Sequence, residues 1–216
     1  MNLTSLKRYR LIIPGIFIFV VIFFIFPNSC KELINNYNEL LKLNLFNIVY
    51  LFLTLLFGAI YYITKIRMWF WEPFLKPVQD NIQDSLLNPF NGKFDESEIN
   101  YLKDQRRLLN IFYSFVDNDQ SLKEKANSVR MNGLLWTSFI DLTIICSISS
   151  IIIDIKLFLF FTLYNKALLF TLLITSFISF IMTHLLLKRH IALSNEQLQV
   201  IVGIHKKELF EKLENV

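Results

Sequence analysis

KIRMWFWEPFLKPVQDNIQDSLLNPFNGKFDESEINYLKDQRRLLNIFYSFVDNDQSLKEKANSVRMN, residues 65–132, is the only long interval of this chain whose composition suits water. Apolar runs hem it in, at 11–26 and 45–64 before it and at 134–153 and 167–187 after it. Each run approaches the length that crosses a hydrocarbon layer, so the chain reads as two membrane hairpins joined by a polar segment. The expected fold is an all-α membrane protein with four transmembrane helices in two hairpins, a helical cytoplasmic insertion and an amphipathic C-terminal helix. Its parts are a first hairpin at 1–64, the cytoplasmic segment at 65–132, a second hairpin at 133–187 and a cytoplasmic C-terminal helix at 188–216.

Composition points the same way. Of 216 residues 54% are apolar, 22 are Phe and only 5 are Gly, a balance of the membrane class. The formal net charge is +4, and the cations gather at the ends of the apolar runs instead of forming one patch, so no direct nucleic-acid partner is expected. Cys30 lies beyond the first run and Cys146 inside the third, which puts them in different layers of this topology. They supply neither a disulfide framework nor a C-x-x-C ligand pair, and no metal or cofactor is expected.

The N-terminal stretch carries Lys7, Arg8 and Arg10 and no acid. Pro27-Asn28-Ser29-Cys30 offers no small-x-small cleavage site, so the first run reads as a retained helix, with Pro14 in its first turn where a missing N–H costs little. Lys31, Glu32, Glu39 and Lys42 cancel one another in a short outer connection. The second run ends in Lys65, Arg67, Trp69, Phe70 and Trp71, cations followed by amphipathic rings. With Trp136 at the start of the third run, Trp69 and Trp71 are the expected anchors at the membrane–water interface.

Cations decide the orientation. Lys7, Arg8, Arg10, Lys65, Arg67, Arg130, Lys188 and Arg189 flank one set of span ends, against Lys31, Lys42, Lys156 and Lys166 at the other. Both termini and the polar interval are therefore expected in the cytoplasm.

Within the polar interval Pro73 and Pro77 punctuate the exit from the membrane, and Val78, Ile82 and Leu86 recur at helical spacing until Asn88-Pro89. Asn91-Gly92 marks a turn. Asp95 and Glu98 have the form of a capping box, and Ile99, Leu102, Leu109, Phe112 and Val116 predict one helix from there to about Phe115. Ser121 with Glu124 starts another, leading to Asn132-Gly133. Asp117, Asp119 and Ser121 match three positions of a calcium loop, but Leu122 stands where glycine is needed and Ser128 where a bidentate Glu belongs, so a capped, solvated turn is the reading.

The third run contains one acid, Asp141, about 10 Å inside the interface. A charge there costs at least about 2.5 kcal/mol on insertion scales and needs a partner. His184 is the nearest candidate, with Trp136, Thr137 or a helix hydroxyl as alternatives. The fourth run sets Thr171, Thr175, Ser179 and Thr183 at four-residue steps, a stripe that reads first as a packing face and second as the wall of a conduit. The connection at 154–166 either lies along the membrane or extends the fourth helix. In the tail Ser194 and Gln197 resemble a capping box, so a separate helix is expected from about Asn195, with Leu198, Ile201, Val202, Leu209 and Leu213 on one face. His205 interrupts that face as a boundary residue.

In layout the whole chain resembles the small four-span membrane subunits of bacterial phage-defence operons, the membrane subunit of Kiwa-type systems in particular. It is similar also to membrane-spanning accessory proteins of RNA-targeting CRISPR loci. The resemblance implies a homo-oligomer of the inner membrane that senses phage-induced disturbance and recruits a cytosolic effector. It carries no fingerprint motif and transfers no site residues.

Two function classes follow. In one, the protein is a membrane-anchored sensor or scaffold whose partners are the lipid bilayer, further copies of itself and a cytosolic effector protein, which Lys103, Arg106 and Arg107 are placed to meet. In the other, it is a small ion channel lined by the polar residues of the third and fourth runs. No enzyme is expected, because neither G-x-S-x-G, H-E-x-x-H nor a phosphate-binding glycine loop occurs.

Overall fold

The computed structural model describes residues 3–28 and 45–215, and every element in it is a helix. The outer connection at 29–44, with Cys30, lies outside the described residues. The helices are α1 (Leu3–Ile25), α2 (Leu45–Ile63), α3 (Ile66–Leu87), α4 (Glu96–Lys103), α5 (Arg107–Asn118), α6 (Gln120–Leu159), α7 (Leu163–Ile204) and α8 (Lys206–Glu214). Short 3-10 turns stand at Asn88–Phe90 and Asp104–Arg106. Three helices, α1, α6 and α7, are long and apolar enough to cross a membrane. A fourth candidate is the pair α2 and α3, bent by 59° at their junction. The chain divides into two compact units, Glu72–Gly133 with Leu185–Val216, and Asn2–Trp71 with Leu134–His184.

The second unit holds the apolar runs, and its surface is what marks it as lipid-facing. Phe158, Phe161, Phe170 and Phe177 are all exposed, large apolar rings that hydrocarbon accommodates better than water. α1 and α2 cross at a pair of glycines: a Cβ built on Gly15 would run into the backbone carbonyl of Thr54, and one on Gly58 into that of Leu11. Small residues let the two backbones touch, which is how helices associate where no hydrophobic effect separates helix from solvent. Beside the crossing, the Phe19 and Tyr50 rings meet edge to face at 4.7 Å. Lys156 Nζ donates to the Ile25 carbonyl at 2.6 Å and Tyr164 Oη to that of Phe24 at 2.7 Å, so α6 and α7 satisfy carbonyls left open where α1 ends.

α1 begins earlier than the sequence suggests. Its helix includes Lys7, Arg8 and Arg10, which puts Pro14 in the interior and not in the first turn. A proline there has no N–H for the carbonyl four residues back, so the Arg10 carbonyl loses its helical donor. Pro73 and Pro77 likewise sit inside α3 instead of preceding it. Both are on its exposed side.

The first unit is a water-type helical core. Leu86 of α3, Leu108 of α5, Leu122 of α6, Ile201 of α7 and Leu209 of α8 are wholly buried in it. Val78, Ile82 and Leu86 form the inner face of α3 as their spacing predicts, and Asn88-Pro89 ends it. Gly92 takes the turn with φ +81°. Asp95 and Glu98 make the full reciprocal capping box of α4.

The single helix expected from Asp95 to about Phe115 is instead two. Gln105 and Arg106 adopt left-handed φ of 48° and 63°, and α4 and α5 meet at that break. Arg107 staples it: Nη1 donates to the Tyr101 carbonyl at 2.7 Å, Nη2 to Gln105 Oε1 at 3.2 Å, and the guanidinium lies 3.8 Å over the Tyr101 ring. Five guanidinium donors in a fixed fork can offset the cost of two left-handed residues. α5 then packs against α8, where Lys212 donates to Ser114 Oγ at 3.2 Å.

At the start of α6 the cap is Asp119. Its Oδ1 accepts from Ser121 Oγ at 2.6 Å and from the Leu122 amide at 3.0 Å, while Oδ2 faces His205 Nε2 at 3.0 Å. The Ser121 hydroxyl first, then the Leu122 amide and His205, hold this carboxyl well below the ordinary range. The partial calcium loop is thus a helix cap, and among the described residues there is no cluster of three metal-ligating side chains.

Two expected breaks are absent. α6 runs through Asn132-Gly133 for 40 residues, because Asn132 turns its amide onto the Leu186 carbonyl at 3.0 Å and Gly133 is buried. α7 runs for 42 residues through Ser194, so no separate helix begins near Asn195. Ser194 Oγ bonds back to the His190 carbonyl and Gln197 reaches the Leu122 carbonyl at 3.3 Å, so neither side chain caps anything. The helix stops at His205, whose ring lies 5.5 Å from that of Phe115. The connection at 160–162 is a short break, with Asn165 donating to the Phe160 carbonyl at 2.9 Å.

Candidate functional site

In the apolar unit, α6 buries Asp141 to 1% exposure. A carboxylate in that position is tolerable only if every acceptor is used. Arg67 Nε donates to Oδ1 at 2.7 Å and Nη2 to Oδ2 at 2.6 Å, the two-pronged geometry that suits guanidinium and carboxylate. Tyr61 Oη donates to Oδ1 at 3.0 Å. Arg67 Nη2 donates further to the Arg10 carbonyl at 3.0 Å, the one stranded by Pro14. One guanidinium therefore answers both the buried acid of α6 and the proline defect of α1.

The local sequence makes this possible through one left-handed residue. Tyr61 and Arg67 are six apart, and on a continuous helix they would diverge by about 120°. Lys65 breaks the helix with φ 53°, its amide reaching the Tyr62 carbonyl at 3.3 Å, and Thr64 Oγ1 covers the Tyr61 carbonyl at 2.9 Å. The bend returns Arg67 to the side that Tyr61 already occupies. Just beyond, the rings of Trp71 and Trp136 meet at 4.3 Å.

His184 is not the partner of Asp141. Its Nδ1 faces the Phe180 carbonyl at 3.0 Å on an exposed side of α7. The hydroxyl stripe divides in two. Thr171 is exposed and Thr175 half-buried, whereas Ser179 and Thr183 are buried. Thr171, Thr175 and Thr183 each donate to the carbonyl four residues back in their own helix, which leaves little polarity to offer a passing ion. The hydroxyls that do bridge helices are elsewhere: Ser176 donates to the Thr143 carbonyl at 3.3 Å and meets Ser147 Oγ at 2.8 Å.

Of the expected interface rings, Trp69 is 77% exposed, Trp71 half-buried and Trp136 buried at 1%. Of the basic residues expected to meet a partner, Lys103 forms a surface pair with Asp84 at 2.9 Å, Arg107 is taken up by the α4–α5 break, and Arg106 is exposed. A surface pair of this kind contributes at most about 1 kcal/mol.

No family model matches this chain, and neither does any curated protein or solved structure. Fold and site define a class: among the described residues the protein is all-helical, with three helices, or four spans with the bent pair, long and apolar enough to cross a membrane.

Proposed function

We propose that this protein is a four-span scaffold or sensor of the bacterial inner membrane that oligomerises and recruits a cytosolic effector. Its termini and the segment at 65–132 face the cytoplasm, and phage defence is the setting that the resemblance in layout implies. The observation that carries the reading is the closed hydrogen bonding of Asp141. An acid held by three donors from Arg67 and Tyr61 fastens α2, α3 and α6 together and is no free charge for an ion to visit. The back-bonded threonines of α7 support the same choice over a channel. The helical unit at Glu72–Gly133 with Leu185–Val216 has a core of its own and supplies the surface for a soluble partner.

Sizing in detergent followed by pull-down with the soluble products of neighbouring genes tests this. A discrete assembly of several 25.6 kDa copies that retains one such protein is the expected result. A monomer that binds none of them and conducts ions in a planar bilayer would replace the scaffold with the channel.

A further inference from the structure

A second feature of the apolar unit is a cavity of about 360 Å³ between α1 and α6, lined by Ile13 and Phe17 on one side and Leu135, Ser138, Phe139 and Leu142 on the other. Its walls are hydrocarbon, because the Ser138 hydroxyl is turned back to the Leu134 carbonyl at 2.8 Å. Arg10 stands one turn before Ile13 and two turns before Phe17, so these three follow one face of α1, and Lys7 lies a further turn toward the N-terminus, about 60° round from Arg10. Arg10 Nε is buried and has no hydrogen-bond partner in the protein. Asp141 attracts it through space but makes no hydrogen bond to it, since both Asp141 oxygens accept from Arg67 and Tyr61. The α1 wall of the groove thus leads, one turn toward the N-terminus, to a guanidinium whose Nε has no hydrogen-bond partner, with the exposed ammonium of Lys7 a turn further on.

We propose that this groove binds an anionic phospholipid, with one acyl chain along Ile13, Phe17, Phe139 and Leu142 and the phosphate against Arg10 and Lys7. Charge complementarity selects the occupant: a phospholipid joins an apolar chain, which suits the groove, to an anionic phosphodiester, which suits the cations of the neighbouring turns. Cations near a membrane surface each favour anionic lipid by about fivefold, so two give a preference well above that of bulk mixing. The Arg10 carbonyl, not its side chain, receives Arg67, so a phosphate at the guanidinium leaves that hydrogen bond in place.

Native mass spectrometry of the full chain, titrated with phosphatidylglycerol or phosphatidylcholine of matched acyl chains, tests this. The expected result is at least about fivefold tighter retention of phosphatidylglycerol. Arg10→Gln should abolish the preference while phosphatidylcholine binding is unchanged, and Ser138→Phe, which fills the groove, should weaken both. Lys7→Gln, on the exposed side, gives a milder loss of preference without risk to the fold. Equal binding of the two lipids, or a preference that survives Arg10→Gln, would overturn the site. So would displacement of the lipid by inorganic phosphate, which would make it a general anion site. None of these outcomes bears on whether a soluble partner is recruited.

Discussion

Asp141→Leu, made with Arg67 left in place, is expected to cost about 3–5 kcal/mol of folded-state stability, because it strands a guanidinium that is largely buried. The side chain of Arg67 is 15% exposed and that of Asp141 2%, so water can replace little of what is lost. Arg67→Leu should cost a similar amount by leaving the carboxylate with Tyr61 alone. The double variant, Asp141→Leu with Arg67→Leu, should lie much nearer the wild type than either single. Its remaining deficit is about 1 kcal/mol each for the Arg10 carbonyl that no longer has a donor and the Tyr61 hydroxyl that no longer has its carboxylate acceptor. Denaturant unfolding in detergent of the four proteins closes the cycle. If the two single losses simply add in the double variant, the residues are not coupled and the cluster does not hold α3 to α6.

Gly15→Ala should cost about 1–3 kcal/mol, and Gly15→Leu more, since the added carbon meets the backbone of Thr54 and not a side chain that can swing away. Gly58→Ala should behave alike against Leu11. Gly203 is the internal control. It too lies inside a helix, but a Cβ there meets nothing within 4 Å, so Gly203→Ala should stabilise by roughly 0.4–1 kcal/mol through the unfolded chain. Thermal unfolding of the three alanine variants decides it. A Gly15→Ala protein as stable as Gly203→Ala would mean that α1 and α2 do not touch at this crossing.

These two effects mark the limit of what the primary structure discloses. The apolar runs, the inner face Val78, Ile82 and Leu86, the turn at Gly92 and the capping box of Asp95 were legible because each is local: a period, or two residues at fixed spacing. The break at 104–106 was not, because it depends on Arg107 finding Tyr101 and Gln105 once they are folded. The continuity of α6 and α7 was hidden for a related reason. Asn132, Ser194 and Gln197 read as punctuation along the chain but spend their polar groups on neighbouring helices or their own turn.

Asp141 illustrates both sides. That a buried acid must have a partner followed from its place in an apolar run, and it does. The identity of that partner required knowing that Lys65 turns the chain, which brings an interface cation back against α6. The usable signal was Arg67 itself, a long, always-charged side chain six residues from a tyrosine at the end of a span. Of the same kind is Pro14, whose missing N–H announces an acceptor in need of a donor at Arg10.

The claim on which the proposed function rests is that the helical unit is held on the cytoplasmic side of a membrane. Labelling intact cells with a membrane-impermeant thiol reagent tests it directly, using native Cys30 and a second site made by Ser128→Cys on the exposed side of α6. Cys30 should react in intact cells, and position 128 only after the membrane is permeabilised. Reaction at 128 in intact cells with Cys30 protected would invert the topology and remove the cytosolic partner from the account.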